Sequence, residues 1–484
     1  MREHCSCMHR DDLLRCHGNG VTGFPVVTLE PMLERKYSAP EFDPLADERL
    51  EAAGALWAAP TASGPLDALV HLPGSKSLTN RELVLAGLAE GPSLLRAPLH
   101  SQDSDRMVEA LTALGTRIER VPGDSPFGPD LLVTPASELT GSTTIECGQA
   151  GTVMRFTPPL AALALGPTTF DADDSARGRP MGTMVDALRS LGVDIADDGR
   201  GALPFTVHGT GAVVGGELTI DASRSSQFVS GLLLAAPRFE RGLVLHHAGE
   251  RLPSLPHIEM TIAVLAARGV AVEAPEPGTW VVAPQPIRAR DVDIEPDLSN
   301  AAPFLAAALA AGGRVAVAGW PRATTQVGAQ LAQLLPRFGA SVAVDGDRLT
   351  VSSDGRISGV DLDLSAAGEL APALAALAAL AATPSTLTGI GHIRHHETDR
   401  LAALAAEIAG LGGSATELPD GLRIEPRQLH GGVWHSYEDH RMATSGALIG
   451  LRVPGVAIAG IESTAKTMPE FPELWRDLLR GARP

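Results

Sequence analysis

Cysteine is scarce and poorly placed for a disulfide framework: Cys5, Cys7 and Cys16 lie near the start, and Cys147 stands alone in the rest of the chain. A small stapled scaffold is therefore excluded, and a reducing compartment is expected. Basic charge is also in deficit. Lys and Arg number 39 against 57 Asp and Glu, a formal net charge of −18, which argues against a nucleic-acid partner. No run of 18 uncharged apolar residues occurs, so no membrane association is expected. The start lacks an apolar signal core, which points to the cytoplasm. Aromatic residues make up only 4%, and Ala, Leu, Val and Gly supply the apolar content. That composition suits close-packed helices on sheets, and 484 residues suit two domains rather than one core.

Residues 1–54 show no sustained period and are read as a disordered extension. The group Cys5, Cys7, His9, Cys16 and His17 could ligate a metal, but a disordered tail explains it more simply. From residue 65 a plan recurs: a polar or Gly-rich turn, an apolar helix, a strand, a second helix ending in Gly, and two more strands. Taken from Ser77, Gln149, Ser225, Asp297, Gly368 and Glu438, the steps are 72, 76, 72, 71 and 70 residues. The second helices carry one apolar face each: Leu401, Leu404, Ala405, Ile408 and Leu411 before Gly412, and Leu331, Leu334, Leu335 and Phe338 before Gly339. The sixth unit ends after its second helix near Arg480, while strand-like Leu66–Leu72 precedes the first unit without a helix of its own. The simplest closure has that strand complete the last unit. One domain is then 75–294, the other combines 55–74 with 295–484, and the crossings at Pro73-Gly74 and Glu295-Pro296 form a hinge.

Each unit opens at a helix N-terminus, where free N–H groups and the positive dipole end attract anions. Lys76, Ser77 and Arg81 share the first such opening. Gly148–Arg155 is a Gly-rich turn followed by an Arg, weak evidence by itself. Ser225-Ser226-Gln227 offers hydroxyls and an amide, which alone would read as a helix cap. His395-His396-Glu397 lacks metal-site spacing, so no metal is expected there.

The stretches PGSKSLTNR, GQAGTVMR, SSQF, HETDRL, EDHRMA and TAKTMPEF, in that order, resemble the motifs of EPSP synthases over about residues 64–480. The resemblance implies an α/β fold, the two-domain inside-out α/β barrel of enolpyruvyl transferases, built from six repeats of a βαβαββ-type unit. It implies transfer of the enolpyruvyl group of phosphoenolpyruvate to 3-phosphoshikimate, without cofactor or metal, by a monomer. Lys76, Ser77 and Arg81 match residues that bind both substrates. Ser225, Ser226, Gln227 and Ser254 match those holding 3-phosphoshikimate, with Glu369 and His396 added to that set. Gly151, Arg155, Arg179, Arg400, Arg441 and Lys466, with Lys76 and Gln227, match the phosphoenolpyruvate set. Lys76, Glu369 and Glu397 match catalytic positions, Glu369 as the group that takes the hydroxyl proton.

Departures from the family pattern are His396 for Lys, which leaves a titratable cation at the phosphoenolpyruvate phosphate, His257 for Tyr, Gln149 for Asn, and Phe156 for Pro. A UDP-N-acetylglucosamine enolpyruvyl transferase would need a loop Cys as acid, and none lies between 148 and 484. A non-catalytic phosphate-binding protein would have no use for Glu369 and Glu397 beside the cations.

Overall fold

The computed structural model describes residues 56–480. The expected extension, its Cys and His group, and the last four residues lie outside that range.

Six helices open the six units: α1 (Lys76–Leu88), α2 (Gly151–Ala162), α3 (Gln227–Ala235), α4 (Ala301–Ala311), α5 (Ala371–Ala379) and α6 (His440–Gly450). Helices α1–α3 touch one another, as do α4–α6, and sheets lie outside them. This burial explains the composition. A helix enclosed on all sides must be apolar all round, and every residue of α2 and of α5 is buried. In α4 and α5 the run is mostly Ala and Leu, whose small members let three axes approach closely. Two separate hydrophobic cores result, one drawing on residues 83–287 and the other on 59–72 and 298–478. In the second, Phe304 of α4 packs against Phe471 and Trp475 of the final helix at ring separations of 5.6 and 5.3 Å. Such pairs add about 0.5–1.5 kcal/mol each beyond the buried area.

Six sheets accompany the six units among the described residues. In four of them the strand before the opening helix pairs in parallel with the strand after it, as Thr143–Glu146 does with Leu165–Asp171. The remaining two exchange partners. Leu66–Val70 leads into α1 but pairs with Gly313–Ala318 after α4, and Val292–Asp293 leads towards α4 but pairs with Ser93–Arg96 after α1. The strand at 66–70 therefore does not complete the last unit, as the repeat count suggested. That unit already has its parallel pair, Gly432–His435 with Val456–Ala459, and its third strand is Leu56–Ala58 on the other edge.

The two crossings run side by side. Gly74 bridges Pro296, Ser75 N–H donates to the Glu295 carbonyl at 2.8 Å, and Asp297 N–H donates to Pro73 at 2.9 Å. A β-carbon on Gly74 would lie 2.3 Å from the Ala97 carbonyl oxygen, so only glycine lets the strands pass. The helix expected over 331–338 is also broken. Only Leu331–Leu334 is α-helical, between 3-10 turns, because Pro336 has no N–H to continue the ladder.

Candidate active site

One cleft between the two cores receives residues from five of the six openings, and the sixth lines a cavity beside it. Lys76 and Ser77 come from α1, Thr152 and Arg155 from α2, Ser225, Ser226 and Gln227 from the start of α3, Glu369 from the turn before α5, and His440 and Arg441 from α6. Asp297, Ser299 and Asn300, at the start of α4, line a smaller adjoining cavity that shares Lys76, Ser77, His257, Glu369 and Arg441 with the first. Helix starts therefore converge on one volume, and with them their unpaired N–H groups. The cap of α2 uses no side chain, nor does that of α3. Ser254, before the helix Leu255–Ala267, holds a left-handed φ of 53° at the cleft wall. Such strain in a non-glycine residue is typical of functional turns.

Cations in the cleft divide by partner. Arg155 donates to the Gly151 and Pro180 carbonyls and Arg179 to the Gln149 carbonyl, while both Nε atoms are buried without partners. Neither pairs with a carboxylate among the described residues. Burial, then the neighbouring Arg179, pulls the Arg155 pKa down to about 9, a cost that an incoming anion would relieve. Arg81 donates to Thr261 Oγ1 and to the Ser77 and His257 carbonyls, and its guanidinium lies 5.2 Å from the Phe156 ring centroid. That aromatic support accounts for Phe156. Lys76 Nζ is 3.1 Å from Asp103.

The remaining cations hold the two central carboxylates. Glu397 accepts from Lys466 Nζ at 2.8 Å and from Arg400 Nη2 at 2.9 Å. Burial alone would raise its pKa, but Lys466 and Arg400, helped by Arg179, outweigh that and hold it well below the carboxylate range. Glu369 accepts from Arg441 at 2.8 Å and lies 3.1 Å from His257 Nε2 across the cleft. Burial is again outweighed, here by His257 and then Arg441, so its carboxyl also sits well below the usual range. Arg400 is fixed in turn by Asp439, through bonds of 2.7 and 3.1 Å. Asp439 also caps α6, at the end of a turn whose Tyr437 and Glu438 both have φ of 55°.

Histidine behaves differently from the expected cation. Arg400 Nη1 donates to His396 Nδ1 at 2.9 Å, so that nitrogen is a lone-pair acceptor. Burial, then Arg400, pushes the His396 pKa well below 6.5, and the ring is neutral. The cause is local: a protonated imidazole there would face the Arg400 guanidinium. His392 is lowered to about 4, by burial and then Arg400. His440 is buried, its two ring nitrogens have no hydrogen-bond partner, and burial holds it neutral as well. No group of His, Cys, Asp or Glu among the described residues has an arrangement that would hold a metal ion.

Of the residues singled out in the sequence, Lys76, Ser77, Arg81, Arg155, Arg179, Ser225, Ser226, Gln227, Ser254, Glu369, His396, Glu397, Arg400 and Arg441 line the cleft. Lys466 stands behind Glu397. Gly151 lies against the cations, where a β-carbon would be 3.2 Å from Arg155 and Arg179 nitrogens and 3.3 Å from Gln227 Oε1. Sequence reasoning missed Arg224, His392, Asp439 and His440. The last two stand inside EDHRMA, where only the cation was given a role.

A family model described as EPSP synthase (3-phosphoshikimate 1-carboxyvinyltransferase) matches residues 60–475. A Kocuria rhizophila protein named 3-phosphoshikimate 1-carboxyvinyltransferase is 58% identical over 429 residues, covering 88% of this chain and 96% of its own length. Two solved structures of EPSP synthase from Acinetobacter baumannii superpose with TM-scores of 0.70 and 0.69 at 23% identity, covering 88% and 87% of this chain and 98% and 97% of theirs. At that identity they speak for the fold.

Proposed function

The chain belongs to the EPSP synthase family, and from that membership we infer its reaction: it transfers the carboxyvinyl group of phosphoenolpyruvate to the 5-hydroxyl of 3-phosphoshikimate and releases phosphate. The observation that carries this is the pairing of cations that lack a carboxylate partner, Arg155 and Arg179, with two partly buried carboxylates in one cleft. We assign phosphoenolpyruvate to Arg155, Arg179 and Lys76, with Gly151 leaving room for the anion and Arg400, Arg441 and Lys466 completing the clamp. Ser225, Ser226, Gln227, Ser254, Ser77 and Arg81 then hold 3-phosphoshikimate.

Addition of the hydroxyl to the enol ether needs an acid at the methylene and a base at the hydroxyl. Glu397 serves as the acid, although in the ligand-free cleft it is ionised. Phosphoenolpyruvate supplies the remedy: its carboxylate and phosphate draw Lys466 and Arg400 away from Glu397, and burial, no longer opposed, raises its pKa until it takes up a proton. Glu369 anchors the basic side. A tetrahedral ketal then collapses, expelling phosphate and returning the vinyl group. Meeting of the two halves, 75–294 against 295–480 with the strand at 66–70, excludes water meanwhile. We place the reaction in the cytoplasm and assign it to a monomer.

A UDP-N-acetylglucosamine substrate is disfavoured. Cys147, the free cysteine among the described residues, is buried, and burial pushes its thiol up to about 12. Phosphate release should require phosphoenolpyruvate and 3-phosphoshikimate together. Release with UDP-N-acetylglucosamine in place of 3-phosphoshikimate would overturn the assignment.

A further inference from the structure

Among the described residues, His257 is the one imidazole that bridges the two halves to a central carboxylate. Its backbone is fixed: the carbonyl accepts from Arg81 Nη2 at 3.0 Å and from Thr261 Oγ1 at 2.9 Å. The ring reaches from the first half to Glu369 in the second, with Nε2 at 3.1 Å from Oε1. Arg441 occupies the other carboxylate oxygen at 2.8 Å. Nδ1 of His257 makes no hydrogen bond among the described residues, and the ring lines both cavities. A carboxylate that grips one ring nitrogen and leaves the other free is the arrangement that turns imidazole into an oriented base.

We propose that His257 and Glu369 form a single acid–base dyad, assembled where the two halves meet, in which His257 Nδ1 takes the hydroxyl proton and Glu369 orients the ring and stabilises the imidazolium. This rests on the carboxyvinyl-transfer reading of the cleft. Glu369 alone is a weak base, since its carboxyl sits so far below the normal range. With the dyad the steps balance. The hydroxyl O–H bond breaks, its electron pair forms the C–O bond to C2 of phosphoenolpyruvate, and the proton passes to Nδ1. The methylene is protonated by Glu397. On collapse, the methyl group returns its proton to Glu397, and the imidazolium gives its proton to the departing phosphate.

The charged and titratable groups around the ring are Lys76 and Arg81 from α1, Asp297 at the start of α4, Glu369, Arg441 from α6, and His392 from the turn 391–395. Of these, Glu369 alone pairs with the ring itself.

The test is a double-mutant cycle on phosphate release by the full chain, using His257→Gln, Glu369→Gln and the combination. Glutamine at 257 can still donate to Glu369 but cannot carry the proton. Each single change should lower kcat by about 10²–10⁴-fold. The double should fall no further than the worse single, because the two act as a unit. KM for 3-phosphoshikimate should move far less than kcat. His257→Asn, shorter and unable to reach Glu369, provides a second variant with the same expected loss. A kcat within about threefold of wild type, losses that multiply, or a loss that appears in KM for 3-phosphoshikimate with kcat preserved would each overturn the dyad. In those cases the wild type still turns over. A wild type that releases no phosphate with both substrates would instead overturn the reading beneath it.

Discussion

Glu369 and Glu397 are both partly buried, both ionised and both gripped by cations, yet they are held in opposite ways. Lys466 and Arg400, which hold Glu397, come from its own half of the molecule, and Arg400 is itself fixed by Asp439. Glu369 takes Arg441 and the Ser299 hydroxyl from its own half, and His257 from across the cleft. The state of Glu397 therefore answers to a ligand that competes for its cations, whereas that of Glu369 answers to the meeting of the halves. Two carboxylates with similar pKa directions in the free protein can diverge once substrate arrives, because different things hold them down.

The sharpest way to break this comparison is to neutralise one carboxylate. Glu397→Gln should lower kcat about 10²–10⁴-fold, the usual contribution of a general acid. KM for phosphoenolpyruvate should not rise, since Lys466 and Arg400 lose a competitor. A rise in KM with kcat preserved would make Glu397 a positioning residue. Substrate binding gives the next test. If phosphoenolpyruvate displaces Glu397 from its cations, binding takes up a proton near neutral pH. Calorimetry in buffers of different ionisation enthalpy should show uptake in the wild type and markedly less in Glu397→Gln. Equal uptake in both proteins would place the proton elsewhere.

A smaller effect is expected at Gly151. A β-carbon at 3.2 Å from the Arg155 and Arg179 nitrogens is tight enough to shift them. Gly151→Ala should raise KM for phosphoenolpyruvate roughly tenfold, the lower range of overpacking costs, with 3-phosphoshikimate little affected. A raised KM for 3-phosphoshikimate alone would reverse the assignment of the two anion sites.

The repeat spacing made the six openings legible, and with them the residues of the cleft, because each opening needs a distinctive turn. What it could not reveal was connectivity. Strand 66–70 carries the same alternation whether it completes the sixth unit or exchanges into the fourth, and only the crossing at Gly74 and Pro296 decides. The broken helix near Pro336 kept its apolar spacing although its backbone could not continue. Asp439 was hidden by its other role as a helix cap. The charge of His396 in the free protein was hidden for a related reason. It depends first on burial and then on the Arg400 guanidinium 2.9 Å away, a partner four residues on in the sequence, which does not say where it points.

That neutral histidine gives the smallest predicted effect on catalysis and a distinct one on stability. An exposed His binds a proton as pH falls through about 6.5. His396 and His440 cannot do so in the folded protein, because burial is the first cause holding each well below that value, with Arg400 acting on His396 and Arg441 on His440. The unfolded chain then binds more protons than the native one below about pH 6.5. Native stability is full above that pH and falls as pH drops, by up to about 1.4 kcal/mol per pH unit for each such group. His440, 3% exposed, should approach that limit. Unfolding midpoints measured from pH 7.5 to 5 should therefore decline in the wild type and decline less steeply in His440→Gln and His396→Gln, once each is referenced to its own value at pH 7.5. KM for phosphoenolpyruvate, by contrast, should show the same pH profile in His396→Gln as in the wild type, because a neutral ring offers no charge to lose. A profile that flattens in the variant would mean that phosphoenolpyruvate recruits a proton to His396 after all, drawing Arg400 away from Nδ1 as it does from Glu397.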